Sequence, residues 1–150
     1  MFDLETVMSI NPVTVGPSDP LHRAEKLMRE HRIRHLPVVD ASGLLVGLLT
    51  QTDLLAASDS FLRDSTDRLA TKDFPVEDAM ITDIATVPPT ASLRQAALYL
   101  EKNRFGCLPV VADGKLAGII TDTDFVGIAI NLLEQLEEGE PLEDPFEELE

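Results

Sequence analysis

The sequence predicts an α+β fold: two tandem copies of a β-α-β-β-α unit, packed with pseudo-twofold symmetry into one module. Three observations carry this expectation. The phrase "HRIRHLPVVDASGLLVGLLTQTDLL" at 31–55 returns as "NRFGCLPVVADGKLAGIITDTDFV" at 103–126. The match extends outward at a constant offset of 72, pairing Met8 with Met80, Val15 with Val87, Leu21 with Leu93, Ala24 with Ala96 and Leu36 with Leu108. The paired apolar runs are also too hydrophobic for strands with one wet face, so each must be covered on both sides, by its own helices and by the other copy. Neither repeat is expected to fold alone.

Taken in chain order, each copy opens on a short β-branched run, "PVTV" at 12–15 and "IATV" at 84–87. Helix starts follow at Ser18-Asp19-Pro20 and Thr90-Ala91-Ser92, and Pro20 suits a first helical turn, where its missing N–H is not needed. Leu21, Ala24, Leu27 and Met28, mirrored by Leu93, Ala96, Ala97 and Leu100, fall on one helical face and read as core. "LPVVDASGLLVGLLT" and "LPVVADGKLAGIIT" are each two apolar runs around a polar, glycine-containing turn, hence β-hairpins. One residue is lost in the second turn, so Gly47, Thr50 and Asp53 pair with Gly118, Thr121 and Asp124 at an offset of 71. A helix follows each Thr-x-x-Asp. The expected division is repeat 1 over 1–55, a connector over 56–76, repeat 2 over 77–132 and an acidic, flexible tail over 133–150.

Composition limits the function classes. The chain has 150 residues, 44% of them hydrophobic, enough for one compact unit or two small halves sharing a core. Its longest apolar run, Leu44–Leu49, is far short of the ~20 residues of a membrane span. The start "MFDLETVMSI" carries acids where a secretory signal carries bases, which favours the cytoplasm. The single cysteine, Cys107, excludes an internal disulfide and a cysteine-built zinc site. The net charge is -15, but the segment from Leu133 onward holds nine acids and no base, leaving 18 acids against 12 bases before it. Such a tail reads as solvated chain or as a docking segment. Neither part has the clustered Lys and Arg of a nucleic-acid binder.

The motif with chemical content is Thr-x-x-Asp, Thr50-Gln51-Thr52-Asp53 and Thr121-Asp122-Thr123-Asp124. One reading is purely structural: threonine at the N-cap and an acid three residues on satisfy N–H groups and complement the helix dipole. The other is a ligand site. A helix start after a strand offers N–H groups and a hydroxyl to an anion, and a carboxylate one turn on suits the two hydroxyls of a ribose. Gly47 and Gly118, three residues before each Thr, are expected to let a ligand approach the backbone, or to mark a bulge.

On these residues, from the doubled "LPVV" to "VGLLTQTDLL" and "AGIITDTDFV", the chain resembles a tandem pair of cystathionine β-synthase (CBS) domains, often called a Bateman module, over roughly 7–130. The resemblance implies a sensor with no catalytic residues and no obligatory cofactor. It implies an adenosine-containing ligand, such as AMP, ADP, ATP or S-adenosylmethionine, with or without magnesium, in two clefts between the repeats. It assigns ribose binding to Asp53 and Asp124, and a hydroxyl near the phosphate to Thr50 and Thr121. The base pocket falls on Ile33, Arg34 and His35 in one repeat and Phe105, Gly106 and Cys107 in the other. The segments leading into the repeats contribute Met8 and Val13, and Met80 and Ala85. Which of these lead-in segments faces which acid is left open by the sequence.

Thr52 and Thr123 stand where many family members carry a basic residue. Asp122 adds negative charge beside the second site, so a monophosphate, a cationic ligand such as S-adenosylmethionine or a metal-screened nucleotide fits there better than bare ATP. Arg32, Arg34 and His35 are expected to give the first site better anion pairing, and small Gly106 and Cys107 to give the second more room. The affinities should therefore be unequal. An enzyme is the weaker reading: His22, His31 and His35 cluster in the first repeat, and no nucleophile, paired-carboxylate or phosphate-loop motif appears. The other alternative is a ligand-free dimerisation or interaction scaffold, with "LAASDSFLRDSTDRLA" as part of its apolar surface. The resemblance implies a homodimer, and the regulated protein is expected to be a separate chain contacted in trans, for which the acidic tail is a candidate contact. No nucleic-acid, membrane or metal partner is expected.

Overall fold

The structure, a computed structural model, describes residues 3–64, 74–103 and 106–138, with side chains throughout except at 58–64. The element order is α1 (Leu4–Val7), β1 (Ser9–Ile10), α2 (Leu21–His31), β2 (His35–Val39), β3 (Leu45–Thr50) and α3 (Gln51–Asp64), followed by a 3₁₀ turn (Val76–Asp78). Repeat 2 continues with α4 (Leu93–Asn103), β4 (Cys107–Ala112), β5 (Lys115–Thr121) and α5 (Asp122–Leu136). This is the expected α+β module of two repeats.

Both hairpins form as predicted. β2 and β3 pair antiparallel from His35 opposite Thr50, and β4 and β5 from Cys107 opposite Thr121. Each shifts register at the same place, Val38/Val39 and Val110/Val111. The expected lead-in strands are shorter than predicted: each reduces to one parallel bridge, Val15 with Val38 and Val87 with Val110. Prolines set the limit, since Pro12, Pro17, Pro88 and Pro89 cannot donate to a ladder. Pro20 lies just ahead of α2, and Asp19 closes a turn by accepting the Gly16 N–H at 2.7 Å. At α4 the expected start holds, with Ser92 and Gln95 exchanging backbone-to-side-chain bonds of 3.0 Å.

The lead-in segments are exchanged between the repeats. β1 adds to β5 of the second repeat, Ser9 opposite Ile119 and Ile10 opposite Gly118. Conversely, Ile81 exchanges backbone bonds of 2.8 and 2.9 Å with Leu48 of the first repeat. Leu4 accordingly lies in the core of repeat 2, with Val87, Ala96, Leu108, Val110 and Ile120, while Val76 lies in that of repeat 1, with Leu21, Ala24, Met28, Leu36, Val38, Leu49 and Leu54. The sequence division at 55 and 77 is therefore not the division of the cores. Leu48, Cys107 and Ile119, flanked by Ile84, form a third cluster between the hairpins. β3 sends Leu49 into its own repeat's core and Leu48 into this shared one, so its two faces are covered as the apolar runs required.

The exchange explains the strand glycines. A Cβ at Gly47 would stand 2.5 Å from Met80 Sδ and 3.1 Å from the Ile81 carbonyl oxygen; one at Gly118 would stand 2.8 Å from both Met8 Sδ and the Ser9 carbonyl oxygen. The close approach is made by the partner repeat's lead-in segment, and the register shift beside each glycine agrees with the other expectation, a bulge. α5 runs to Leu136, four residues into the segment read as tail, and 139–150 lie outside the described residues.

Candidate functional site

Two clefts open between the repeats. The first, of about 500 Å³, is walled by Ser9–Val13, by His31–His35 with Pro37, and by Ile119 and Thr121–Thr123. The second, of about 420 Å³, is walled by Thr50–Asp53, Ile81, Gly106, Arg34, His35 and Asp122. The exchange of segments thus fixes what the sequence left open. The lead-in to repeat 1 faces the Thr121 helix start, and Ile81, from the lead-in to repeat 2, faces that of Thr50.

At each helix start the threonine and the acid hold one another. Thr50 Oγ1 donates to Asp53 Oδ2 at 2.7 Å and accepts the Asp53 N–H at 3.1 Å. In repeat 2, Thr121 Oγ1 donates to Asp124 Oδ2 at 3.2 Å and accepts the Asp124 N–H at 3.4 Å, and the Thr121 N–H donates to Asp124 Oδ2 at 2.9 Å. The capping role is therefore present in both copies. It engages one carboxylate oxygen and leaves Oδ1 of each acid outside these bonds. The helix starts offer fewer N–H groups to an anion than expected: Gln51 N–H donates to the Arg34 carbonyl at 2.8 Å and Asp122 N–H to the Gly106 carbonyl at 3.0 Å.

Gly106 lines the Thr50 cleft beside His35 and Asp122, which line both clefts. Its φ of +76° favours glycine, and a Cβ there would lie 3.3 Å from Asp122 Oδ2 and 3.4 Å from His35 Cε1 and Nε2. Arg34, His35 and Asp122 line both clefts, whereas Arg32 lines only the one holding Thr121. The basic residues expected around Thr50 and Asp53 are therefore gathered largely opposite Thr121, a direct result of the exchange.

Among the other sequence candidates, Val13 and Ile33 line the Thr121 cleft and Thr50, Asp53 and Gly106 the Thr50 cleft. Asp124, the third residue of α5, is not among the residues that line either cleft. Met8 and Met80 pack over Gly118 and Gly47 instead of lining a cleft, Ala85 packs against the second core, and Cys107 is buried in the cluster between the hairpins. Burial, with the Asp122 carboxylate adding to it, pushes the Cys107 thiol up to about 12. Phe105 lies outside the described residues, as do the side chains from Ser58 to Ala70 in the segment expected to supply apolar surface. Ser9, Ile10, Asn11, Ile81 and Ile119 were not singled out by sequence; their signal was adjacency in the chain to the matched Met8, Met80 and Gly118. No described group of three His, Cys, Asp or Glu residues is placed to hold a metal ion.

The chain belongs to the CBS domain family, which it matches as two copies over residues 4–60 and 76–131. Solved CBS pairs share the fold. A Vibrio cholerae protein, provisionally assigned to acetoin utilization, is 45% identical with a TM-score of 0.79, over 94% of this chain and 99% of its own. CBSX2 of Arabidopsis thaliana, solved in complex with AMP, is 33% identical with a TM-score of 0.74, over 89% and 99%. The CBS pair of MJ0100, in complex with 5′-methylthioadenosine and S-adenosyl-L-methionine, is 26% identical with a TM-score of 0.74, over 88% and 98%. The chain spans 22% of the length of two curated relatives, a homoserine O-acetyltransferase of Methanocorpusculum labreanum and an inosine-5′-monophosphate dehydrogenase of Thermoplasma acidophilum. It spans 94% of a CBS domain-containing protein of Bacillus subtilis.

Proposed function

We propose that the chain is a regulatory module that senses adenosine-bearing ligands, of the AMP, ADP, ATP or S-adenosylmethionine class, in the two clefts between its repeats. The observation that carries this reading is the composition of each cleft. Each joins the Thr-x-x-Asp helix start of one repeat to the lead-in segment of the other, so a ligand seated there bridges both repeats and stabilises one arrangement of them. In this reading the free Oδ1 of Asp53 and of Asp124 accepts from ribose hydroxyls. Thr50 and Thr121 hold those acids in place. Val13 and Ile33 flank the base in one cleft and Ile81 and Gly106 in the other. Met8, Met80, Ala85 and Cys107 support these walls from behind. Arg34 and His35 supply the positive side, and magnesium, where used, arrives with the nucleotide.

The ligands of CBSX2 and of the MJ0100 pair support the ligand class. In this reading the module has no catalytic residues of its own and acts in the cytoplasm on a separate protein. That partner must distinguish the liganded from the empty state, since only differential binding transmits a signal.

A second reading, the ligand-free scaffold, draws on α5. Val126, Ile130 and Leu133 are 58, 53 and 54% exposed at helical spacing, and Leu136 is 83% exposed. We assign this stripe to a homodimer contact that serves either reading. A thermal-shift screen against AMP, ADP, ATP, S-adenosylmethionine, NAD and GTP, with and without magnesium, separates the two. A sensor is stabilised by an adenosine ligand, by roughly 2.7 kcal/mol at a hundredfold excess over its dissociation constant. A folded, dimeric chain that shifts with none of them is the scaffold.

A further inference from the structure

The two helix starts differ at one position: Gln51 in Thr50-Gln51-Thr52-Asp53 corresponds to Asp122 in Thr121-Asp122-Thr123-Asp124. At α5 the first three N–H groups are all engaged within the chain. Asp122 N–H donates to the Gly106 carbonyl at 3.0 Å, Thr123 N–H to Asp122 Oδ1 at 2.9 Å, and Asp124 N–H to Thr121 Oγ1 at 3.4 Å. At α3 the bonds of Gln51 and Asp53 are the same in kind, at 2.8 and 3.1 Å, but the Thr52 N–H stays outside them. A carboxylate of the chain itself therefore sits at the α5 start, where a helix otherwise receives an anion. Asp122 lines both clefts, but it is at the α5 start that its carboxylate accepts a helix-start N–H; at α3 the corresponding residue is the neutral Gln51.

Arg32 and Arg34 also line the Thr121 cleft, but both side chains are exposed, and no described ion pair joins either to Asp122. Asp122 is held at that helix start by the Thr123 N–H at 2.9 Å, so it meets a phosphate arriving there at short range, where a charge acts most strongly. Resting on the adenosine-site reading above, we infer that Asp122 sorts the two clefts by ligand charge. The Thr50 cleft takes a phosphate-bearing adenosine ligand at Thr52 N–H and Arg34. The Thr121 cleft takes one without phosphate, its 5′ substituent neutral or cationic, as in a thioether or a sulfonium.

Replacing Asp122 by glutamine makes the two motifs identical, which gives the test. AMP and 5′-methylthioadenosine are titrated calorimetrically into the full chain and its Asp122→Gln variant, with Asp53→Ala and Asp124→Ala assigning each step to a cleft. The native chain should take up AMP in a step that depends on Asp53, and 5′-methylthioadenosine in a step that depends on Asp124. In Asp122→Gln, AMP affinity at the Asp124-dependent cleft should rise about tenfold, while 5′-methylthioadenosine binding stays within about threefold. Asp122→Asn keeps an acceptor for the Thr123 N–H and should change in the same direction, which guards against loss of fold in the first variant. Two equivalent AMP sites in the native chain, or an unchanged second cleft in both folded variants, would overturn the inference and leave the adenosine-site reading standing. Uptake of neither ligand by the native chain overturns both.

Discussion

Gly118 packs its bare Cα against Met8 Sδ and the Ser9 carbonyl, leaving no room for a methyl group. Gly118→Ala should therefore cost about 1–3 kcal/mol in urea denaturation, with any ligand affinity retained in the fraction that folds. Full stability with binding lost would instead restore the reading in which glycine serves ligand approach. Cys107 is a second residue-scale case. Its thiol is 4% exposed and its pKa is raised from 9.0 to about 12, so the folded state holds the proton that the unfolded chain releases near 9. The thiol should resist a disulfide exchange reagent at pH 8 until urea unfolds the chain. By linkage, its contribution to stability is constant below about pH 9 and is lost as pH rises from there toward 12. The threonine and aspartate of each helix start were legible from sequence because capping and ribose binding ask for the same spacing. That coincidence is also why sequence alone could not choose between them.

At the scale of elements, α1 and the 3₁₀ turn are each one turn long, yet each places a residue in a core: Leu4 is 2% exposed and Val76 fully buried. Each lies in the core of the repeat opposite the one it leads into, Leu4 in that of repeat 2 and Val76 in that of repeat 1. Leu4→Ala should destabilise by about 2–4 kcal/mol and should loosen the second repeat first, as hydrogen exchange along β4 and β5 would detect. Faster exchange confined to β2 and β3 would contradict the exchanged arrangement. The hairpins and long helices were readable because apolar runs around a glycine turn and a 3.6-residue period are local signals. The exchange was not, because β1 is two residues long and its register depends on a strand more than 100 positions away. The lead-in strands were over-read because β-branched residues suggested a ladder that the neighbouring prolines cut to one bridge each.

For the whole molecule, two cores that each borrow a segment from the other repeat make a single cooperative unit. Residues 77–132 expressed alone lack Leu4 and β1, and should show no sharp thermal transition by circular dichroism; a cooperative transition would mean the repeats are independent. The stripe on α5 makes a separate statement about assembly. Ile130→Glu should shift sedimentation toward a monomer without lowering Tm, since the side chain is 53% exposed in the single chain. The central claim is that adenosine ligands are held between the repeats by the paired Thr-x-x-Asp motifs. Calorimetric titration of AMP and S-adenosylmethionine into the native chain and into the Asp53→Ala/Asp124→Ala double variant, its fold verified by circular dichroism, tests it most directly. Saturable binding to the native chain that disappears in the folded double variant is the predicted result; binding that persists in the double variant, or is absent from the native chain, contradicts the claim.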